Sequence, residues 1–372
     1  MADLFDIQPF AGDRGKLILD FVLRAGVKKA RAGSPGLSPQ AVRSERRDCV
    51  AAGAAAILRV VMNFTAPSAW FFAGLLLVAP ATHGDTNGPP VALHLRVTGY
   101  VEHLAPMDSQ FVERRNVDVW LPPGYFSAAA ETRRYPVIHC QDGQNVFDPA
   151  ASFIGVDWGI DETMTRLIEG KQVPEAIVVA VWNTAKRFSE YMPQKPFERV
   201  KEADLPDMFK SARRQPLGDA YLRYLVRELK PAIDARYRTL PGRESTSILC
   251  SSMGGLISLY ALCEYPQVFG GAACLSTAWP VAGGITTRDL QPALPDPKTH
   301  RIYFDYGNET KEEGYEALQQ QVGSQMKGAG FTHGTNWLTK YFPGEEHSER
   351  AWRKRVEVPL QFLLKPDSST RP

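Results

Sequence analysis

From Pro136 to Phe342 one pattern recurs: a short apolar run, then a longer stretch with helical spacing. The runs are Pro136–Cys140, Ala176–Trp182, Ser247–Cys250, Gly271–Leu275, Arg301–Asp305 and Trp337–Phe342. They are nearly continuous in apolar residues instead of alternating, as a strand must be when both faces of its sheet are covered. Helix candidates lie at Trp158–Glu169, Ala220–Tyr237, Gly254–Tyr265, Lys311–Ala329 and His347–Leu364; in the second of these Leu222, Leu225 and Leu229 share one face. Strands that alternate with helices join as parallel neighbours through right-handed crossovers. The pattern therefore dictates an α/β domain with a mostly parallel central sheet and helices on both faces. Ala92–Val101 and Val112–Leu121 are alternating or β-branched and predict an antiparallel pair at the opening of the sheet. With no internal repeat and no low-complexity tract, one domain over 92–366 and a polar tail at 367–372 account for this part of the chain.

Charge separates that domain from what precedes it. Up to Ala81 the chain carries 10 basic and 6 acidic residues, whereas the remaining 291 carry 33 and 35. A near-neutral domain lacks the concentrated positive surface that phosphate backbones need, which argues against nucleic acid as a partner. Residues 1–48 mix charge, Gly and Pro without sustained period. Met62–Ala81 contains an apolar section, Ala69–Pro80, too short for a membrane span of about 20 residues but suited to a secretory signal, with small residues at Ala79-Pro80-Ala81 for cleavage. The expectation is that translation starts at or near Met62, that residues 1–61 are an over-extended frame, and that 82–91 is a linker. Export to the periplasm or medium follows if 62–81 is a signal; otherwise the protein is cytoplasmic. An uncleaved anchor or a plain hydrophobic helix is the alternative. No stable membrane span is expected in the mature form, and nothing in the sequence sets an oligomeric state. Five cysteines without a C-x-x-C pair argue against a zinc site or a complete disulfide framework. Cys140, Cys250, Cys263 and Cys274 read as small buried residues.

The chemistry concentrates in Ser247-Ile-Leu-Cys-Ser-Ser-Met-Gly-Gly-Leu256. A strand ends, a serine follows in a turn of small residues, and a helix starts at once. That arrangement projects a hydroxyl above a sheet and lets strand and helix pass closely. Ser252 takes the nucleophile position and Gly254 the +2 position, while Cys250 stands at −2 where glycine is expected. A serine in such a turn also suits a helix N-cap. A hydroxyl becomes a nucleophile only when a base removes its proton and a carboxylate orients that base, here in the chain order Ser, acid, His. His347, at a loop-to-helix junction after the last run, is the one histidine placed to serve; His139 reads as a core residue. The acid should follow the run ending at Asp305, where Glu309 and Glu312 are candidates that spacing does not separate. An oxyanion site needs two aimed N–H groups. The amide of Met253 supplies one, and that of Gln144, in the Gly-containing loop Cys140–Asn145, the other.

With these elements assembled, the chain resembles the "Putative esterase" family of α/β-hydrolases, which includes enterochelin esterases, esterase D, feruloyl and acetylxylan esterases, and mycolyltransferases. The resemblance runs from about Val117 to Leu364. It is carried by Val117-Asp-Val-Trp-Leu-Pro-Pro-Gly124, Asp142-Gly-Gln-Asn145, Trp182-Asn-Thr184 with Arg187 and Glu190-Tyr191, Ser251-Ser-Met-Gly-Gly-Leu256 and Gly344-Glu-Glu-His-Ser-Glu349. It implies Ser252 as nucleophile and His347 as base. It favours Glu312 over Glu309 as the acid, because relatives have a Leu-Asp pair where this chain has Lys311-Glu312. It places Trp158, Arg187, Glu190 and Tyr191 on loops above the sheet, where Trp158 and Arg187 would bind substrate. Cys250 for glycine, Gln141 for a frequent histidine and Glu312 for aspartate are departures from the family pattern. The expected activity is a serine carboxylic-ester hydrolase working through an acyl-enzyme on a small-molecule ester, with no cofactor and no metal. Acyl transfer on the same triad and a binding protein with lapsed catalysis are the alternatives.

Overall fold

The computed structural model describes residues 97–200, 215–288, 290–309 and 315–365. The chain divides into two units, Met1–Gly88 and Pro89–Pro372, and every described residue belongs to the second. The signal-like segment 62–81, the linker and Glu312 lie outside the described residues.

Eight strands form one sheet: β1 (Tyr100–Leu104), β2 (Val117–Leu121), β3 (Val137–Gln141), β4 (Ile177–Val181), β5 (Thr246–Ser251), β6 (Gly271–Leu275), β7 (Arg301–Gly307) and β8 (Trp337–Phe342). Their spatial order is β1-β2-β4-β3-β5-β6-β7-β8. Pairing is antiparallel from β1 to β2 and from β2 to β4, and parallel from β4 through β8. The opening antiparallel pair is present, but its first strand begins at Tyr100, near the end of the expected Ala92–Val101 run. All five residues of β2, β3, β4 and β6 are buried, which explains the unbroken apolar character of β4 and β6; β2 and β3 also bury Asp118, His139 and Gln141.

Among the described residues the longer helices are α1 (Ile160–Glu169), α2 (Gly218–Tyr224), α3 (Lys230–Arg236), α4 (Met253–Glu264), α5 (Tyr315–Gly328), α6 (Glu349–Arg355) and α7 (Glu357–Leu364); a π turn, Leu225–Leu229, joins α2 to α3. Two hydrophobic cores result, one on each face. Val119, Val179, Ile248 and Phe304 meet α2 to α5 through Leu222, Ile233, Ile257 and Val322. Trp120, Val178, Leu249 and Tyr303 meet α1, α6 and α7 through Met164, Trp352 and Leu360. Each such side chain contributes about 1.5–3 kcal/mol on burial, so the site above is built on a stiff platform. The stretch expected as one helix over His347–Leu364 is two, divided at Val356. Among the described residues no helix is long and apolar enough to cross a membrane.

Candidate active site

Ser252 and the loop carrying Gln144 follow the carboxyl ends of the parallel neighbours β5 and β3, and His347 follows β8. Ser252 lies between Ser251, the last residue of β5, and Met253, the first of α4, at φ 54° and ψ −124°. A non-glycine residue in that region costs about 1–3 kcal/mol and persists only where its surroundings enforce it. Here its amide donates to Leu275 O at 2.9 Å, and its carbonyl accepts from Gly255 N at 3.0 Å and Ala278 N at 3.1 Å. The bends of β5 and β6 thus clamp each other. A Cβ on Gly254 would lie 2.1 Å from Cys250 Sγ, and one on Gly255 2.9 Å from Thr277 Oγ1. Both glycines let α4 start against the sheet. As the first helical residue, Met253 has an N–H with no acceptor inside the helix, directly beside the serine.

The loop after β3 adjoins this turn. Asp142 adopts φ 56°, and the turn Gly143–Asn145 closes through Asn145 N to Asp142 O (2.8 Å) and Val146 N to Gly143 O (3.2 Å). The Gln144 amide takes part in neither bond. Gly143 passes so close to β4 that a Cβ would stand 2.6 Å from the carbonyl carbon of Ala180. Cys250, in place of glycine, joins loop to elbow: its thiol lies 3.4 Å from Gln141 O and 3.5 Å from Asp142 Oδ2.

Asp142 is the hub of this loop, a role its place in an Asp-Gly turn does not reveal. Its buried carboxylate accepts from Arg187 Nε and Nη2 at 2.7 Å each and from Asn183 Nδ2 at 2.6 Å, while its amide donates to the Tyr191 hydroxyl at 3.1 Å. Burial alone would raise its pKa, but Arg187, Asn183 and Cys250 more than reverse that and hold the carboxyl below the ordinary aspartate range. Arg187, expected to bind substrate, therefore spends its guanidinium on this loop and packs over the Tyr191 ring at 5.1 Å. Glu190 forms a buried pair with Arg115, with bonds of 2.7 and 3.0 Å. Trp158, also expected to bind substrate, is 1% exposed and belongs to the core below α1. Its amide donates to Asn145 O at 2.7 Å, and its ring packs on Trp352 at 5.5 Å.

His347 follows β8 and immediately precedes Ser348, whose hydroxyl caps α6 by accepting from Ala351 N. The imidazole is half-buried and packs edgewise on Trp352, with ring centroids 5.1 Å apart. Its Nδ1 has no hydrogen-bond partner among the described residues. Burial, then the positive charges of Arg355 and Arg187, push its pKa down to about 4, so the ring is a neutral base at physiological pH. The loop after β7 runs alongside: Glu309 N donates to Glu345 O at 3.2 Å, and Gly344 N to Asn308 Oδ1 at 2.5 Å. Gly307 permits this approach, since a Cβ there would meet Glu345 O at 2.0 Å. Glu309 is exposed at the exit of β7, with its backbone beside the histidine loop. Asp305 is still inside β7, fully buried and paired with Arg355 at 3.0 Å. Cys140, Cys250, Cys263 and Cys274 are free thiols.

The family model described as "Putative esterase" matches residues 109–360. "Uncharacterized protein YbbA" of Bacillus subtilis (strain 168) is 23% identical over 263 residues, which cover 69% of this chain and 95% of that protein. Among solved structures, the chain is similar to an IroE-like serine hydrolase from Shewanella oneidensis (TM-score 0.52, 20% identity, 71% of this chain and 80% of that one). It is also similar to the enterobactin esterase FES from Shigella flexneri in the presence of enterobactin (TM-score 0.54, 16% identity, 74% of this chain and 62% of that one).

Proposed function

The chain belongs to the "Putative esterase" family and is an esterase of α/β-hydrolase fold, and from that premise we propose that it hydrolyses carboxylic esters through an acyl-enzyme on Ser252. The observation that carries the proposal is the strained Ser252 turn between β5 and α4, with an unused helical amide beside it and a second loop fastened against it. A hydroxyl held there attacks an ester carbonyl from above the sheet. His347, neutral at pH 7, accepts the hydroxyl proton and returns one to the departing alcohol. As charge gathers on the carbonyl oxygen, the amides of Met253 and Gln144 receive it. Water then attacks the acyl-enzyme with His347 again as base. A carboxylate from the loop after β7 accepts a hydrogen bond from the Nδ1–H of His347, holds the ring and stabilises the imidazolium that forms. Glu312 is the proposed acid and Glu309 the reserve.

A fluorophosphonate probe tests this directly. The adduct is expected on Ser252, and Ser252→Ala is expected to lose both labelling and turnover of 4-nitrophenyl esters by at least about a thousandfold. Labelling elsewhere, or a variant that turns over esters as before, would remove Ser252 from the chemistry.

A further inference from the structure

The base of this site is carried by a helix-capping motif. Ser348 is the N-cap of α6, with φ −154° and ψ 162°, and its hydroxyl accepts from Ala351 N at 3.4 Å. Counting from that cap, His347 is the residue before it and Trp352 is the fourth residue of the helix. Those two positions form the hydrophobic staple, a contact that sets the angle at which a chain enters a helix. Their rings are 5.1 Å apart and 78° from coplanar. The staple usually joins two apolar side chains; here one partner is the imidazole proposed to move the proton.

Trp352 is itself locked, which separates it from an ordinary contact. It is 4% exposed. Its indole N–H donates to Ser276 Oγ at 3.1 Å. Ser276 follows β6 at φ 40°; its amide donates to Asp305 O at 2.9 Å, and its hydroxyl also accepts from Arg355 Nη2 at 2.8 Å. Trp158 also packs on the indole, with ring centroids 5.5 Å apart. The chain of contact from the imidazole thus ends in the backbone of β6 and β7, whose neighbour β5 carries Ser252. We propose that Trp352 is a positioning residue that holds the His347 imidazole toward Ser252 through this staple, with Trp158 as its backing. The proposal rests on His347 being the general base, and it assigns Trp158 to support of the base instead of contact with substrate.

Trp352→Phe keeps an aromatic edge but loses the bond to Ser276, and Trp352→Leu keeps an apolar staple without a ring. Turnover of 4-nitrophenyl acetate is expected to fall about threefold to tenfold in the first and about thirtyfold to a hundredfold in the second, with KM within twofold in both. Trp158→Phe should cost less than threefold. The decisive measurement repeats Trp352→Phe and Trp352→Leu in a His347→Ala background, where the activated leaving group keeps residual turnover measurable. If Trp352 acts through His347, each substitution has no further effect there, so the two sites are fully coupled. An equal loss in both backgrounds, a loss confined to KM, or full turnover in a folded variant would each overturn the proposal. Should Trp352→Leu fail to fold, Trp352→Phe decides alone by the same cycle. Failure of the esterase proposal itself looks different: His347→Ala would then be fully active, or Ser252 unlabelled.

Discussion

The two halves of the site are held by different means. Around β3 and β5, position is set by backbone: Ser252 and Asp142 sit at positive φ, three glycines stand where a Cβ would come within 3 Å of a neighbour, and a buried carboxylate takes three charge-assisted or amide bonds. Around β7 and β8, position is set by side chains: an imidazole rests on an indole, and the neighbouring loop is stitched by single bonds from Asn308 and Glu309. The difference suits the chemistry proposed for each half. A nucleophile and an oxyanion site have to be in place before substrate arrives, and strained backbone does not relax when charge develops. A base must accept a proton and return it, which a ring on a packed platform can do.

Substitutions can break or sharpen that contrast. The largest effect is expected on the side-chain half. Glu312→Gln should lower kcat by about 10²–10⁴-fold, as loss of an orienting carboxylate does, whereas Glu309→Gln should cost less than tenfold; the reverse order would make Glu309 the acid. On the backbone half, Asp142→Asn leaves the half-buried Arg187 against a neutral partner and should loosen the Gln144 amide. A loss in kcat of about 10²-fold is expected, the scale of one oxyanion donor, with KM changed far less. Wild-type kcat in that variant would deny Asp142 its role as hub.

A smaller effect concerns the elbow. Gly254→Ala places a Cβ 2.1 Å from Cys250 Sγ and should destabilise the protein by about 1–3 kcal/mol, read from denaturant midpoints. Cys250→Gly removes the opposing atom, so the double variant should recover most of that loss. If it does not, Cys250 is not what makes Gly254 necessary. The smallest effect is on pH. With its pKa pushed down to about 4, His347 should leave kcat/KM flat through pH 5 and falling only below it; a limb near the ordinary histidine value of about 6.5 would show the ring to be more open than it stands here. His139, buried in β3, is likewise depressed to about 4, by burial first. A depressed folded value means that stability is fully present above pH 6.5 and is lost as pH falls towards 4. Replacing His139 with Gln should flatten part of that slope in thermal melts between pH 7 and 4.5.

Much of this was legible in the chain. Gly271–Leu275 was readable as a strand to the residue, because a strand buried on both faces is apolar throughout; the edge strand Trp337–Phe342 was readable to the residue too, although only Trp337 in it is buried. Ser252 was legible because a tight strand-to-helix turn demands small residues at fixed offsets. The staple was also on view as His347-Ser-x-x-x-Trp352, a cap with its two flanking positions, once the cap is recognised. Arg187 and Trp158 were not readable in the same way. Both precede the nucleophile by many residues, and only the packing of β3 against β4, and of α1 against α6, decides whether such side chains face a substrate or a neighbour.

The sequence by itself determined the α/β layering, the serine elbow and the late histidine, since periodicity and local turn chemistry need no distant partner. Tertiary structure alone decided that Arg187 serves Asp142, that Trp158 backs Trp352, and that Cys250 bridges two loops. Those roles depend on residues tens to hundreds of positions apart meeting at one sheet edge, and burial there leaves a charge or a ring no choice but the partner the fold supplies.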